Sequence, residues 1–219
     1  MQHCQTRRSF LKQNEITEAY NCSAKTYVDK CFNELDYKPL DRQLLDRFAQ
    51  LTQKKGIVCD IGCGPGEVAT YLTAKGCKVV GIDISEYMIN EAKRLNTEIE
   101  YLVDDMFNLK TAEEHFAGIC SFYAIVNFQY DDIKRILKEY HRVLINNGLL
   151  LIAFHIEEKE IHIDDFFGSG KPLDFYYFSE NVILEMLKEA GFKIIEALVR
   201  FPYEQEYPSK RAYILGEKI

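Results

Sequence analysis

The sequence has 219 residues, a length that favours one compact domain over two large ones. Hydrophobic residues make up 47% and charged residues 28%, which is typical of globular proteins and excludes a mainly disordered or collagen-like chain. The net charge is −7, from 27 Lys and Arg against 34 Asp and Glu, and no long basic run is present to contact phosphates, so stable binding to nucleic acid is disfavoured.

No segment of the sequence is predicted to cross a membrane. The longest apolar run near the middle, residues 149–154, is far shorter than the roughly 18 residues that a spanning helix needs. The first eleven residues are polar and basic and lack the apolar centre of a secretory signal. The seven cysteines form no C-x-x-C pair, and several are expected to be buried thiols. These observations predict a cytoplasmic protein without a membrane partner.

Two helices are predicted at the start of the chain. Residues 15–36 place apolar side chains three and four apart on one helical face, and the polar stretch at residues 21–23 is a candidate break in this helix. A second helix begins at Pro39, whose fixed φ suits a first helical turn.

The middle of the chain alternates strands and helices. This alternation predicts a parallel sheet with helices on both faces. The predicted strands are residues 56–60, 78–82, 99–103, 117–124 and 149–155, and the helices between them are residues 66–74, 85–95 and 133–144.

Residues 156–178 interrupt this alternation and are interpreted as a lid-like insertion. They combine acidic residues, a Gly-Ser-Gly stretch and several aromatic residues, which are expected either to pack in the core or to form a pocket wall. A last helix at residues 179–190 precedes two strands at residues 192–201 and 210–216. The link between these strands is too short for a parallel crossover, so antiparallel pairing is predicted.

The segment at residues 58–67 predicts a ligand site. It reads Val-Cys-Asp-Ile-Gly-Cys-Gly-Pro-Gly-Glu, a strand followed by a glycine loop and a helix, so backbone N–H groups can approach a nucleotide-like ligand. A dinucleotide fold needs glycine where this chain has Glu67, and the lysine of a Walker loop is absent. Asp60 would repel a pyrophosphate but suits an ammonium group. An amino-acid-bearing cofactor is therefore favoured.

Two further acids are expected at the same edge of the sheet. Asp83 ends the second strand, where its carboxylate can accept hydrogen bonds from both hydroxyls of a ribose. Asp105 follows the third strand and can accept from an adenine amino group. With Asp60, these residues edge one crevice.

Four segments, in this order, resemble motifs of the class I S-adenosylmethionine-dependent methyltransferases. Residues 60–66 look like the first motif, residues 80–85 like the second-strand motif, residues 105–109 like the adenine motif, and residues 142–150 like the stretch leading to the fifth strand. The resemblance implies S-adenosylmethionine as cofactor and methyl transfer to an oxygen, nitrogen or sulfur nucleophile of a small molecule. A methyltransferase acting on protein or RNA, and a non-catalytic protein that binds the cofactor, stay open as alternatives.

The resemblance also implies the architecture. We expect an α/β fold with a single Rossmann-like sheet of seven strands in the order 3-2-1-4-5-7-6, the last strand antiparallel, and helices on both faces. Residues 1–38 are expected to form an N-terminal helical cover, and residues 39–219 the methyltransferase domain, as a monomer or homodimer.

The expected site residues follow from the same resemblance. The substrate is expected to contact Tyr20 and Tyr27 on the N-terminal helix and Asn127, which stands where many relatives carry a histidine. Arg200 can clamp an acidic substrate or pair with neighbouring glutamates on the surface. The residues expected to contact the cofactor are Asp60, Gly62, Cys63, Gly64, Gly66, Asp83, Ile84, Met88, Asp105, Met106 and Phe122.

A general base is needed only if the nucleophile arrives protonated. His155, at the carboxyl end of a predicted strand, and Tyr123 are the candidates. His155 and His162 stand near Asp164 and Asp165, but acids in a polar insertion are usually solvated, so no metal site is expected.

Overall fold

The computed structural model describes residues 2–157 and 159–219, with side chains from residue 12 onward. The prediction that the first eleven residues are not a secretory signal concerns side chains outside this description. The α-helices are α1 (Gln2–Cys31), α2 (Pro39–Thr52), α3 (Glu67–Ala74), α4 (Glu86–Leu95), α5 (Tyr130–Val143) and α6 (Glu180–Glu189). The strands are β1 (Ile57–Ile61), β2 (Lys78–Asp83), β3 (Glu100–Val103), β4 (Phe116–Phe122), β5 (Leu144–Ile156), β6 (Glu160–Ile163), β7 (Leu173–Tyr176), β8 (Phe192–Arg200) and β9 (Lys210–Lys218).

Seven of these strands form one sheet in the order β3-β2-β1-β4-β5-β9-β8. Strands β1 to β5 pair in parallel, whereas β9 runs antiparallel between β5 and β8. The hairpin β6–β7 forms a separate sheet. When the hairpin is set aside, the order is 3-2-1-4-5-7-6, so the predicted topology and the antiparallel last strand are confirmed.

Apolar layers cover both faces of the sheet. One layer joins α1, α5 and α6 to inward side chains such as Ile119 and Ile152. The other joins α2, α3 and α4 to side chains such as Val58 and Leu151. The central strands β1, β4 and β5 are therefore apolar on both faces, as parallel strands between two helical layers must be.

Local sequence explains where two of the helices begin. Pro39 is the first residue of α2, and its missing N–H is a group that a first helical turn leaves unpaired. Ser85 caps α4, because its hydroxyl accepts a hydrogen bond from the Met88 N–H at 3.1 Å. This cap fixes the turn between β2 and α4, directly above the sheet edge where Asp83 lies.

Helix α1 is unbroken, so the candidate break at residues 21–23 is not present. The Ser23 hydroxyl donates to the Tyr20 carbonyl at 3.3 Å, and Asn21 accepts from the Ser85 hydroxyl at 2.6 Å. Polar side chains that compete with an isolated helix are satisfied here by the helix backbone and by the cap of α4. None of the described helices is long and apolar enough to cross a membrane.

The insertion at residues 156–178 folds as a short antiparallel hairpin with a turn at Phe166–Gly168. Phe166 and Phe178 are buried in the apolar layer that contains α5. Core packing, one of the two alternatives for these aromatic residues, is therefore what the structure shows for this pair. Among the described residues of the insertion, none lines either of the cavities described below.

Candidate active site

The glycine loop after β1 exposes bare backbone at the sheet edge. Gly62 has φ +66°, and an added Cβ would lie 2.4 Å from the Cβ of Ala124, so a side chain cannot fit there. Gly64 has φ +51°, and its added Cβ would meet no atom within 4 Å. Gly64 lines the larger of two cavities, so glycine at this position keeps space open for a ligand.

Two cavities form one crevice at the carboxyl ends of the parallel strands. The larger encloses about 770 Å³ of space between protein atoms, including its open mouth, and the smaller about 250 Å³. Both cavities are lined by Gly62, Asp83, Ile84, Met106 and Phe128, so a single ligand can extend from one into the other.

Asp83 lies where the two cavities meet. Its Oδ2 accepts from the Gly64 N–H at 2.9 Å, and its Oδ1 accepts from the Ser85 N–H at 2.8 Å. Burial raises the pKa of Asp83, and these two backbone donors oppose the rise. Each oxygen keeps acceptor capacity, so the carboxylate can hold two adjacent hydroxyls, as expected for a ribose.

The smaller cavity combines apolar walls with an acidic rim. Ile61, Ile82 and Phe128 contribute apolar surface, and Asp105 stands at the rim. The Asp105 Oδ1 accepts from the Phe107 N–H at 2.9 Å, which holds the turn after β3 in place. Apolar walls with an acceptor at the edge suit a purine ring that carries an amino group.

The larger cavity is walled by aromatic side chains from α1 and from the turn after β4. The Tyr20 hydroxyl donates to the Asn127 Oδ1 at 2.9 Å, and the Asn127 Nδ2 donates to the Asp174 carbonyl at 2.8 Å. Asn127 therefore joins α1, the turn after β4 and the insertion. Burial raises the pKa of Tyr20 and of Tyr27, so both phenols stay neutral. The expected residues that line this cavity are Tyr20, Tyr27, Gly62, Gly64, Asp83, Ile84, Met88, Met106, Phe122, Tyr123 and Asn127.

Three expected cofactor residues line neither cavity: Asp60, Cys63 and Gly66. The Asp60 Oδ2 accepts from the Ala69 N–H at 2.9 Å, and burial raises the pKa of this carboxyl to about 7. Asp60 thus ties β1 to the first turn of α3. Cys63 and Gly66 belong to the loop itself, where the Gly66 N–H donates to the Cys63 carbonyl at 2.9 Å.

Arg200 does not reach the crevice, so its expected contact with substrate is not found. Its Nη2 lies 2.9 Å from the Asp41 Oδ2, and it also pairs with Glu206 and donates to the Tyr213 hydroxyl at 2.9 Å. The guanidinium is 8% exposed. Pairing of Arg200 with a neighbouring glutamate was expected, and Glu206 is that partner. The ion pair is buried instead of lying on the surface, because α2 and the segment before β9 close over it.

His155, a candidate base, lines neither cavity. Its ring stacks on Tyr177 at 4.8 Å, and its Nδ1 lies 2.8 Å from the Ser209 hydroxyl. Burial, together with the nearby Arg211, lowers the pKa of His155 to about 3. The imidazole is therefore neutral but a weak base, and its ring lies 5.1 Å from the ring of Tyr123.

Tyr123, the other candidate base, does line the larger cavity. Its backbone has φ +55°, and its hydroxyl lies 2.9 Å from the Tyr213 hydroxyl, which donates to the Asp41 Oδ1 at 2.8 Å. Burial, with Tyr213 and Asp41 adding to it, raises the pKa of Tyr123 well above its usual range. Tyr123 stays protonated, so it can orient a ligand but is a poor proton acceptor.

Some residues of the crevice had no specific signal in the sequence. Glu67 was expected only to exclude a dinucleotide, yet its side chain lines the larger cavity. Glu34 reaches the same cavity from the turn after α1. Phe128 lines both cavities. Its neighbour Asn127 was predicted to contact the substrate, but Phe128 itself was not predicted as a site residue. The other lining residues without a prediction are Gln13, Ile16, Ile61, Val68, Ile82, Asp104 and Ala124.

A family model described as a methyltransferase domain matches residues 58–148, the span from β1 to the start of β5 that builds most of the crevice. Together with the strand order and the placement of Asp83, this match identifies a methyltransferase domain within the chain, similar to the class I S-adenosylmethionine-dependent methyltransferases.

Comparisons with individual proteins agree with that similarity. The chain is 32% identical over 146 residues to malonyl-[acyl-carrier protein] O-methyltransferase of Hamiltonella defensa, covering 65% of this chain and 53% of that protein, so the chain spans about half the length of this curated relative. It is 26% identical over 216 residues to the ubiquinone/menaquinone biosynthesis C-methyltransferase UbiE of Rickettsia bellii, covering 90% of this chain and 84% of the relative. The crystal structure of the 1,6-didemethyltoxoflavin-N1-methyltransferase of Burkholderia thailandensis has the same fold, with a TM-score of 0.67 and 15% identity, covering 98% of this chain and 89% of that one.

The crevice fits S-adenosylmethionine, the cofactor of these methyltransferases. Asp83 offers acceptors for a ribose, and the smaller cavity beside it suits an adenine. Gly64 keeps open the space that a side chain would fill. Glu67 lines the larger cavity, and its Oε2 is shielded from solvent and has no hydrogen-bond partner among the described residues. An unpaired buried acceptor on this residue suits the α-ammonium group of S-adenosylmethionine.

Proposed function

We propose that this protein transfers a methyl group from S-adenosylmethionine to an oxygen, nitrogen or sulfur nucleophile of a small molecule. The observation that carries the proposal is the larger cavity, which continues the cofactor crevice beyond Asp83 and is roofed by α1. A roofed cavity accepts a small molecule more readily than a folded polymer.

When bound, the cofactor supplies an electrophilic methyl group on a positively charged sulfur. The contribution of the chain is then to align the nucleophile and keep water out. The rings of Tyr20, Tyr27 and Phe122 wall the larger cavity, and their faces favour a neighbouring positive charge. Neither His155 nor Tyr123 presents a proton acceptor to this cavity, so positioning is the main source of catalysis in this proposal.

The names of the relatives support a small acceptor without choosing its reacting atom. They specify an O-methyltransferase, a C-methyltransferase and an N1-methyltransferase. Carbon therefore joins oxygen, nitrogen and sulfur as a candidate nucleophile, an option that the sequence analysis did not weigh. One of these relatives is named for an acyl-carrier protein, so a small group tethered to a protein is also consistent with the proposal.

The proposal includes the cytoplasm as the compartment and a monomer or homodimer as the working form, with neither nucleic acid nor membrane as a partner. The described cysteines are free thiols, which supports a reducing compartment. The net charge of −7 supports the exclusion of nucleic acid.

Label transfer from methyl-labelled S-adenosylmethionine tests the proposal. The purified protein is incubated with a cell extract, which is then separated into small molecules, protein and RNA. We expect enzyme-dependent label in the small-molecule fraction. Label confined to protein or RNA would establish a polymer substrate instead. Binding of the cofactor without any label transfer would establish a non-catalytic protein.

A further inference from the structure

Glu67 occupies a special position in the crevice. It is the first residue of α3, directly after Gly66, and its side chain lines the larger cavity beside Gly64 and Val68. Its Oε2 is shielded from solvent and has no hydrogen-bond partner among the residues that the structure describes. Buried polar atoms in folded proteins are almost always paired, so an unpaired carboxylate oxygen on a residue that lines a ligand cavity calls for a partner, which a ligand can supply.

The neighbouring acids already have partners of their own. Glu34 pairs with Lys38, whose Nζ lies 2.8 Å from the Glu34 Oε2. The Asp60 Oδ2 accepts from the Ala69 N–H at 2.9 Å, and Asp60 does not line this cavity. Of these three acids, Glu67 is therefore the one that lines the cavity and has a buried oxygen without a partner among the described residues.

We infer that Glu67 accepts hydrogen bonds from the α-ammonium group of the methionine part of S-adenosylmethionine. This inference rests on the proposed function. The bare backbone at Gly62 and Gly64 leads from the Asp83 junction towards Glu67, so a ligand whose ribose lies at Asp83 extends its amino-acid end in this direction. The assignment gives to Glu67 the role that the sequence suggested for Asp60.

Binding of the ammonium group is then coupled to release of a proton. Burial, reinforced by Glu34 and Asp60, raises the pKa of Glu67 well above its usual range, which favours the neutral form of this carboxyl in the empty site. When the ammonium group binds, the O–H bond of the carboxyl breaks, the proton passes to solvent, and the carboxylate pairs with the ligand cation. The ligand keeps its own proton, so one proton is released for each neutral Glu67 that ionises.

Other titratable groups surround Glu67 and are part of the test. Glu34 and Lys38 lie in the segment after α1, and Asp60 lies on β1. Tyr27, Cys31, Cys63, Tyr101 and Cys120 interact with Glu67 from α1, the glycine loop, β3 and β4. Burial raises the pKa of each of these phenols and thiols, so they stay neutral and do not contribute protons near pH 7. Asp60, whose pKa is near 7, can also release a proton when the ligand binds. The Glu67 variant is therefore needed to distinguish protons released by Glu67 from those released by Asp60.

Calorimetric titration with two ligands tests the inference. S-Adenosylhomocysteine carries the ammonium group, whereas 5′-methylthioadenosine has the same adenosine part without the amino acid. Glu67→Gln is expected to weaken S-adenosylhomocysteine about ten- to a hundredfold, because a hydrogen bond between charged groups is lost. The Kd of Glu67→Gln for 5′-methylthioadenosine is expected to stay within about twofold of the wild-type value, a margin that allows for experimental scatter. The matched control is Glu86→Gln, the same change at the exposed first residue of α4.

Proton release gives a second readout that needs no variant. In wild type near pH 7, titration in buffers of different ionisation enthalpy should show up to about one more proton released with S-adenosylhomocysteine than with 5′-methylthioadenosine. In Glu67→Gln this difference should disappear. Equal proton release by the two ligands in wild type would overturn the inference even if the variant failed to fold.

Three other results would also decide the matter. Unchanged affinity of Glu67→Gln for S-adenosylhomocysteine would overturn the inference and leave the proposed function standing. Equal weakening of both ligands would overturn it as well, since Glu67 would then only support the loop. Failure of wild type to bind either ligand would overturn the proposed function itself.

Discussion

Replacing Asp83 by alanine removes the carboxylate at the junction of the two cavities. In the empty protein this carboxylate accepts from the Gly64 N–H at 2.9 Å and the Ser85 N–H at 2.8 Å. It also lines both the adenine-sized cavity and the larger one. The substitution therefore removes the two acceptors proposed for the ribose and loosens the loop that carries Gly64.

The expected loss of affinity follows from these contacts. A hydrogen bond to a charged group contributes about 1.5–3 kcal/mol, so losing two gives an upper limit of about 3–6 kcal/mol. Water that enters the vacated space recovers part of this, and we expect at least about a tenfold and more typically a hundredfold weaker binding of S-adenosylhomocysteine. Asp83→Asn keeps the size and one acceptor but loses the charge, so an intermediate effect of about tenfold is expected.

Isothermal calorimetry with S-adenosylhomocysteine measures this effect, and thermal unfolding checks that the variant is folded. Removing a carboxyl whose pKa burial has raised offsets part of the lost backbone contacts, so Tm should change by only about 2–4 °C. Asp164→Ala, at a fully exposed side chain of the insertion, is the control. An unchanged Kd for a folded Asp83→Ala would refute the assignment of the ribose to this carboxylate.

Two further predictions concern pH and the cover. Burial raises the pKa of Asp60 from 3.8 in an ordinary carboxyl to about 7, so the folded state holds its proton more tightly than the unfolded state. The free energy of unfolding of wild type relative to Asp60→Asn should therefore be greatest below pH 4 and should fall by something on the order of 4 kcal/mol as the pH rises to about 7. Denaturation at several pH values measures this difference, and a difference that stays constant across the range would contradict the reasoning. We also predict that α1 and residues 156–178 act as a cover that gains protection from hydrogen exchange when cofactor and a substrate analogue bind. The two segments are in contact, since the ring of Tyr20 meets that of Phe166 edge-to-face at 5.2 Å and the ring of Tyr27 meets that of Phe167 at 5.5 Å. Full protection of both segments in the empty protein would show that the cover is a fixed wall.

The fold was largely predictable because its signals are local. Apolar β-branched runs, glycine turns and the Ser85 cap each act within a few residues, and strand–helix alternation then restricts the topology. The acids at strand ends were predictable for the same reason, since the carboxyl ends of parallel strands meet at one edge. The placement of Asp83 and Asp105 at the crevice follows from this rule.

The features that were not predictable depend on contacts between distant segments. Helix α1 continues through residues 21–23 because Ser85, 64 residues after Asn21, supplies a partner for it. Arg200 is buried because Asp41, 159 residues earlier in the chain, pairs with it. Sequence spacing reports neither contact. The folding of the insertion as a hairpin likewise depends on burial of Phe166 and Phe178 against the main core.

The roles of Asp60, Glu67 and His155 show a finer limit of sequence reasoning. All three stand next to the crevice in sequence, but the direction of each side chain decides whether it lines the cavity. Asp60 accepts from the Ala69 N–H and His155 contacts Ser209 and Tyr177, whereas Glu67 lines the cavity. A sequence motif identifies where a strand ends. The alternating direction of side chains along the strand and the shape of the turn after it then decide which acid points towards the ligand.

Transfer of an isotopically labelled methyl group by wild type and by Asp83→Ala, followed by mass spectrometry of the small molecules, tests the central claim most directly. The account predicts that a small molecule gains the labelled methyl group in the presence of wild type and that the yield falls strongly with Asp83→Ala at limiting cofactor. Labelling of protein or RNA alone, or equal yields from the two proteins, would contradict it.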